Sequence, residues 1–134
     1  METSAAPEPN LLDYDTARAS FTWAEARRAL DGLPGGAGLN LAYECVDRHA
    51  AGPRAEHVAL RFLSRKGARC DVDFAELASL TNRSANVLDD LAVGPGERVG
   101  FLLGREPALY VGMLGTLKHR SVACPLFSAF GPEP

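Results

Sequence analysis

Lysine is nearly missing from this chain: Lys66 and Lys118 stand alone among 134 residues, against twelve arginines. A loop that cradles phosphate with an ammonium group needs that lysine beside a Gly/Ser/Thr cluster, and neither lysine has such neighbours. Gly35-Gly36-Ala37-Gly38 is glycine-rich but holds no Lys, Ser or Thr, and no strand feeds it, so it reads as a flexible linker. Cysteine is scarce as well. Cys45, Cys70 and Cys124 are odd in number and far apart, which excludes a closed disulfide framework and a zinc site of ordinary spacing. Their apolar neighbours predict small buried thiols, in keeping with a reducing cytoplasm.

Long apolar runs are absent too. The longest, Val99 to Leu103, is strand-sized, whereas a membrane helix needs about 20 residues. The opening METSAAPEPN is polar and Pro-rich, with no apolar centre of a secretory signal, and reads as extended or disordered. Seventeen acidic residues against fourteen scattered basic ones leave a net charge of −3, which argues against nucleic acid as a partner.

What remains is 46% hydrophobic and 23% charged, a composition that supports one soluble α/β domain. Thr22 and Glu25 form a capping box that starts a helix from Trp23 to about Leu30, stopped at Gly32. Asn40 caps a second helix, Leu41 to about Ala50, with Ala42, Cys45, Val46 and His49 on one face. The period then drops to two. Val58, Leu60 and Phe62 form one side of a strand, Ser64 to Gly67 a turn, and Cys70, Val72 and Phe74 the partner strand of a β-hairpin. Asp73 and Glu76 cap the longest helix, Phe74 to about Ala92, with Leu77, Thr81, Ser84, Leu88 and Leu91 on its packing face. Arg98 to Leu103, a Pro107-started helix with Tyr110, Met113, Leu114 and Leu117 inward, and Ser121 to Leu126 complete a right-handed βαβ unit.

Residues with tempting chemistry fare poorly. His49 lies on an inner helix face and reads as a core histidine, while His57 and His119 sit at element ends where exposure is the expectation. Asp89 and Asp90 are adjacent on a helix, so they point apart and make no acid/base pair. Asp71 flanks a strand and Asp73 is a cap. No catalytic or metal-binding residue is predicted.

Several stretches in order resemble the start of AMP-forming acyl-CoA synthetases, the adenylate-forming ligases, and most closely their acetyl-CoA synthetase branch. They are FTWAEARRAL, NLAYECVDRHA, VALRF with DVDFAELASLTNRSANVL, GPGERVGFLLGREPALYVGMLGTLK and SVACPLFSAFGPEP. The resemblance implies an amino-terminal portion of the large domain. Residues 1–12 would be its extended start, 13–56 a helical segment of acetyl-CoA synthetase type, and 57–134 the incomplete beginning of the AMP-binding domain. The activity it implies is two-step: a carboxylate attacks the α-phosphate of ATP, aided by Mg²⁺, and the CoA thiol then displaces AMP. The phosphate loop, the adenine and Mg²⁺ segment, the ribose-binding Asp and the late Lys of that family are all missing here. ATP, Mg²⁺ and CoA therefore belong to the full-length enzyme, with no cofactor expected for this chain. By resemblance, Phe127, Ser128 and Ala129 pass beside the nucleotide end of CoA, with Phe127 as core at a strand end the competing reading. The family has Gly where Arg120 stands, at a helix end that favours positive φ.

Two roles follow from this reading. In one, the chain is a ligase portion whose partner is the rest of the ligase domain, and the abrupt Phe130-Gly-Pro-Glu-Pro134 ending is expected to mark a cut. In the other, it is a stand-alone, non-catalytic interaction module that binds a full-length synthetase. Either way, two parallel strands with incomplete cover predict a chain that is marginally stable, prone to self-association through uncovered apolar surface, and inactive by itself.

Overall fold

A computed structural model describes residues 11–126, and Phe127, Ser128 and Ala129 lie outside that range. The chain divides into two compact units, Met1–Leu30 and Asp31–Pro134.

The first unit opens with a helix that sequence reasoning missed, α1 (Tyr14–Ser20), capped by Asp13 through the amides of Asp15 and Thr16. The capped helix expected next is α2 (Trp23–Arg28), about two residues shorter than the expectation. Its cap is half of the predicted box. Thr22 Oγ1 accepts from the Glu25 amide at 3.2 Å, but its hydroxyl then donates to the Glu25 carboxylate at 2.9 Å.

The second unit begins with the glycine-rich segment, read from the sequence as a flexible linker and folded here into a turn. Pro34–Gly36 forms a 3₁₀ turn, and the Leu33 amide closes the loop on the Gly38 carbonyl at 2.8 Å. Asn40 caps the following helix as expected, its Oδ1 accepting from Ala42 and Tyr43 at 2.9 and 3.2 Å. That helix is not regular. It widens into a π-turn over Tyr43–Asp47 before one α-turn, α3 (Arg48–Ala50). A π-turn carries an extra residue, so the helix phase shifts. Ala42 and Val46 still point inward, but Glu44 is buried and Cys45 is exposed, which corrects the expected face. His49 is half-buried against the Phe74 ring, 4.9 Å between centroids.

The hairpin pairs β1 (Val58–Leu63) with β2 (Arg69–Asp73) antiparallel, and Arg61 faces Asp71. Its turn is the predicted one, with Gly67 at φ +81° where a side chain would be strained. A bulge between Val58 and Leu60 breaks the strict alternation, and Val58 ends up exposed. Cys70, opposite Phe62, is also exposed, and Cys124 is half-buried, so the three buried thiols of the sequence reading are not found.

Asp73 accepts from the Glu76 amide at 2.7 Å and launches α4 (Phe74–Asp90). Leu77, Thr81, Ala85 and Leu88 are its buried residues. Leu91, expected on that face, is 69% exposed because the helix has already ended. The end is a Schellman turn: Ala92 at φ +58° donates to the Asp89 carbonyl, and Val93 donates to Leu88.

β3 (Arg98–Phe101) and β4 (Val122–Pro125) pair in parallel across α5 (Pro107–Lys118), the βαβ order expected. Both strands are shorter than predicted: pairing runs from Arg98 opposite Val122 to Phe101 opposite Pro125, and the Leu126 amide makes the last bond, to the Phe101 carbonyl at 2.8 Å. On α5 the expected stripe is not the buried one. Tyr110 is exposed, Met113, Leu114 and Leu117 are half-buried, and Gly115 and Thr116 are fully inward. The cause is close approach: a Cβ on Gly115 would stand 2.5 Å from Ser84 Cβ, and one on Gly112 2.7 Å from the Phe101 ring. The core itself centres on Val46, Val72 and Leu77, with Leu60, Phe62 and Leu114 packed around it.

α5 ends as α4 does. Arg120 takes φ +71°, its amide donating to Leu117 and that of Ser121 to Thr116, so the strain predicted at this position is real. Replacing Arg120 with Gly is expected to raise stability by about 0.5–1 kcal/mol, the left-handed cost less the added freedom of an unfolded glycine. Chemical denaturation of the single variant checks this, and Ala92→Gly should add to it because the two turns close separate helices.

Candidate functional site

Four clusters of polar side chains tie elements of the second unit together. The most connected is built on Lys118, at the end of α5. Its Nζ donates to Asp47 Oδ1 at 2.7 Å, Thr81 Oγ1 at 2.9 Å and Asn82 Oδ1 at 2.8 Å. An ammonium has three N–H groups, and here all three are used. Lys118 therefore ties α5 to α4 and to the π-turn and has no donor left for a phosphate. Lys66, the other lysine, stands exposed in the hairpin turn.

Glu44, which sequence reasoning did not single out, is the second centre. Its carboxylate accepts from the Gly32 amide at 2.7 Å, the Asp31 amide at 3.2 Å and Arg48 Nη1 at 3.0 Å. A buried carboxylate needs such partners. The π-turn supplies the inward aim, and Gly32 at φ +74° exposes the amide it grips. The sequence signal was present in the i, i+4 spacing of Glu44 and Arg48, an ion-pair spacing on a helix.

The third cluster corrects the reading of His119, which is buried, not exposed. Nε2 lies 3.1 Å from Asp89 Oδ1 and Nδ1 2.7 Å from Ser121 Oγ. The order Asp, His, Ser has the outline of a nucleophilic triad, but the geometry denies the chemistry. Ser121 is buried, its hydroxyl donates to the Gly94 carbonyl at 3.1 Å, and it sits two residues from His119 in one turn. A substrate carbonyl has no approach to it. The cluster joins the ends of α4 and α5 to the start of β4.

The fourth lies on the hairpin. Arg61 Nε donates to Asp71 Oδ1 at 2.7 Å and Arg69 Nε to Oδ2 at 2.8 Å. These two guanidinium groups, Arg69 before Arg61, hold the Asp71 carboxyl well below the usual carboxylate range. A depressed folded value means the contribution is present above the unfolded value of about pH 4 and is lost as pH falls further toward the folded one. Thermal melts below pH 4 should therefore show an acid-side decline that is shallower in Asp71→Asn than in the parent.

Asp90 and His57 are exposed and enter none of these clusters. Among the described residues no group of three or more His, Cys, Asp or Glu is arranged to hold a metal ion, and no helix is long and apolar enough to cross a membrane.

Comparison with known proteins gives the family. The model of a protein family described as "AMP-binding enzyme" matches residues 46–134. The chain belongs to that family. Acetyl-coenzyme A synthetase of Bacillus subtilis (strain 168) is 40% identical over 124 residues, covering 90% of this chain and 21% of that protein. 3-Hydroxypropionyl-coenzyme A synthetase of Metallosphaera sedula is 32% identical over 114 residues, 83% of this chain and 17% of the relative. The crystal structure of Brucella canis acyl-CoA synthetase superposes with a TM-score of 0.77 at 37% identity, over 89% of this chain and 21% of that one. The chain thus spans about a fifth of the length of the first curated relative, and its hairpin and parallel strands have the adenylate-forming ligase fold.

Proposed function

We propose that this chain serves as the amino-terminal portion of an acetate–CoA ligase-like enzyme and is inactive by itself. The ordered likeness to an acetyl-coenzyme A synthetase over nine-tenths of the chain carries the reading. Its work is structural: the hairpin and the βαβ unit contribute to the nucleotide-binding domain, with residues 57–134 as the beginning of that domain and 13–56 as a helical lead-in. The enzyme's partners in chemistry are a carboxylate, ATP with Mg²⁺, and CoA, in the cytoplasm. The described residues do not fit ATP. Lys118 is fully bonded within the fold, Lys66 stands in an exposed turn, and the glycine-rich turn has no lysine or hydroxyl. No step of the reaction is assigned to them. Phe127, Ser128 and Ala129 are our candidates for contact with the nucleotide end of CoA, on the resemblance alone.

The test is acetate-dependent exchange of labelled pyrophosphate into ATP, a reaction that needs fixed positive charge and converging amides at the phosphates. The chain alone is expected to give background exchange. A chimera in which it replaces the matched fifth of the Bacillus subtilis acetyl-coenzyme A synthetase is expected to exchange well above background. Exchange by the chain alone, or a well-folded chimera that does not exchange, would overturn the proposal.

A further inference from the structure

The buried His119 cluster does no chemistry on a substrate, yet its hydrogen bonds fix where each proton must sit. The Ser121 hydroxyl has one proton and donates it to the Gly94 carbonyl at 3.1 Å. Its oxygen can then only accept from His119 Nδ1, 2.7 Å away. Asp89 Oδ1 lies 3.1 Å from Nε2, and an ionised carboxylate accepts without donating. Both ring nitrogens must therefore carry hydrogen. Three bonds in a row require the imidazolium, and the neutral ring has one proton too few.

The neutral ring must give up one bond, and charge decides which. A hydrogen bond to a carboxylate is about twice as strong as one between neutral groups, so the remaining ring proton stays on Nε2, facing Asp89. Nδ1 then becomes an acceptor, and the Ser121 hydroxyl has to swing off Gly94 to meet it. We infer that His119 is a pH-operated latch: its charged form holds the Gly94 carbonyl through Ser121, and its neutral form lets that carbonyl go. Gly94 lies in the turn between α4 and β3. Within that turn its amide donates to Glu97 Oε2 at 2.6 Å and its carbonyl accepts from the Glu97 amide at 3.1 Å, so Ser121 supplies its link across to the start of β4. The surrounding charges are otherwise engaged or turned to water. Asp90 on α4, Arg98 at the start of β3 and Arg120 beside the ring are exposed, Glu97 is bonded to Gly94, and Lys118 is bonded to Asp47, Thr81 and Asn82. β4 carries no charged residue. The latch stands on these bonds alone, whatever reaction the chain takes part in.

Nitrogen-15 NMR of the full chain, with the ring signals assigned through the backbone, reads the latch without altering it. A histidine changes charge between about pH 5 and 8, so both His119 nitrogens should be protonated at the acid end and Nε2 alone at the other. The Gly94 carbonyl carbon should shift upfield along the same curve as its hydrogen bond is lost. In Ser121→Ala the ring should still titrate while the Gly94 carbonyl no longer follows it. A ring with one proton at both ends of the range overturns the latch, and so does a ring that keeps both. A neutral ring protonated on Nδ1 overturns it too, because Ser121 would then have no reason to move. A Gly94 carbonyl that ignores the titration, or that follows it equally in Ser121→Ala, would show that the ring does not act through the hydroxyl.

Discussion

Replacing Lys118 by Met is expected to lower the melting temperature by about 10 °C. The substitution keeps the aliphatic stem and removes the charge, so packing changes little. It strands the Asp47 carboxylate and one lone pair of buried Thr81 in a region where the lysine side chain is 15% exposed and the Asp47 side chain 24%, while the exposed Asn82 amide oxygen turns to water. Removing one partner of a fully buried pair costs about 3–5 kcal/mol, and partial exposure reduces that to about 2–3. For a domain of this length, 1 kcal/mol moves the midpoint by about 3–5 °C. Asp47→Asn should cost less, since a neutral amide still accepts from the ammonium. The double variant should be more stable than the sum of the two losses predicts, because the stranded charge is gone. Calorimetry or thermal circular dichroism on the four proteins closes the cycle. Equal midpoints for parent and Lys118→Met would show that the three bonds contribute nothing.

An effect of similar size is expected at Gly115. Its missing side chain lets α5 settle on α4: a Cβ there would lie 2.5 Å from both Ser84 Cβ and Oγ and 3.1 Å from the Thr81 carbonyl oxygen. The serine can be trimmed, but the carbonyl belongs to a helix backbone and cannot yield without moving α4. Overpacking of this kind costs about 1–3 kcal/mol, while Gly→Ala in a helix regains about 1, so Gly115→Ala should lose up to about 2 overall. Gly115→Val adds two methyl groups to the same clash without the full helix benefit and should lose about 3 kcal/mol or more. Urea midpoints report both. Ser84→Gly in the Ala background should recover part of the loss, and no recovery would place the clash elsewhere.

Features written in short stretches of sequence were the legible ones. Caps at Thr22, Asn40 and Asp73, the Ser64–Gly67 turn and the alternation around Phe62 each depend on a few neighbouring residues, and the structure bears them out. The strain at Arg120 was legible for the same reason, since a helix end demands φ > 0 whatever surrounds it. Side-chain direction on α5 was not, because which face is buried depends on the distance to α4, and that distance is set by Gly115 meeting Ser84 from 31 positions away. His119 shows the same limit: its position at a helix end suggested exposure, and only the return of β4 past the end of α4 encloses it. α1 was missed although its cap, Asp13, and its spaced apolar residues were both readable. The candidate CoA-facing residues, Phe127 to Ala129, lie beyond the described range, so for them the ligase reading remains the argument.

The wide turn at Tyr43–Asp47 makes residue count a structural parameter in its own right. Asn40 anchors one side of it, reaching also to the Leu117 carbonyl at 2.8 Å, and Val46 is locked in the core on the other. Both ends are therefore fixed, and the surplus position between them has nowhere to relax except outward as a bulge. Losing one amino acid there would straighten the coil, swing Glu44 toward water and release the Gly32 loop, although every remaining side chain would be unchanged in kind.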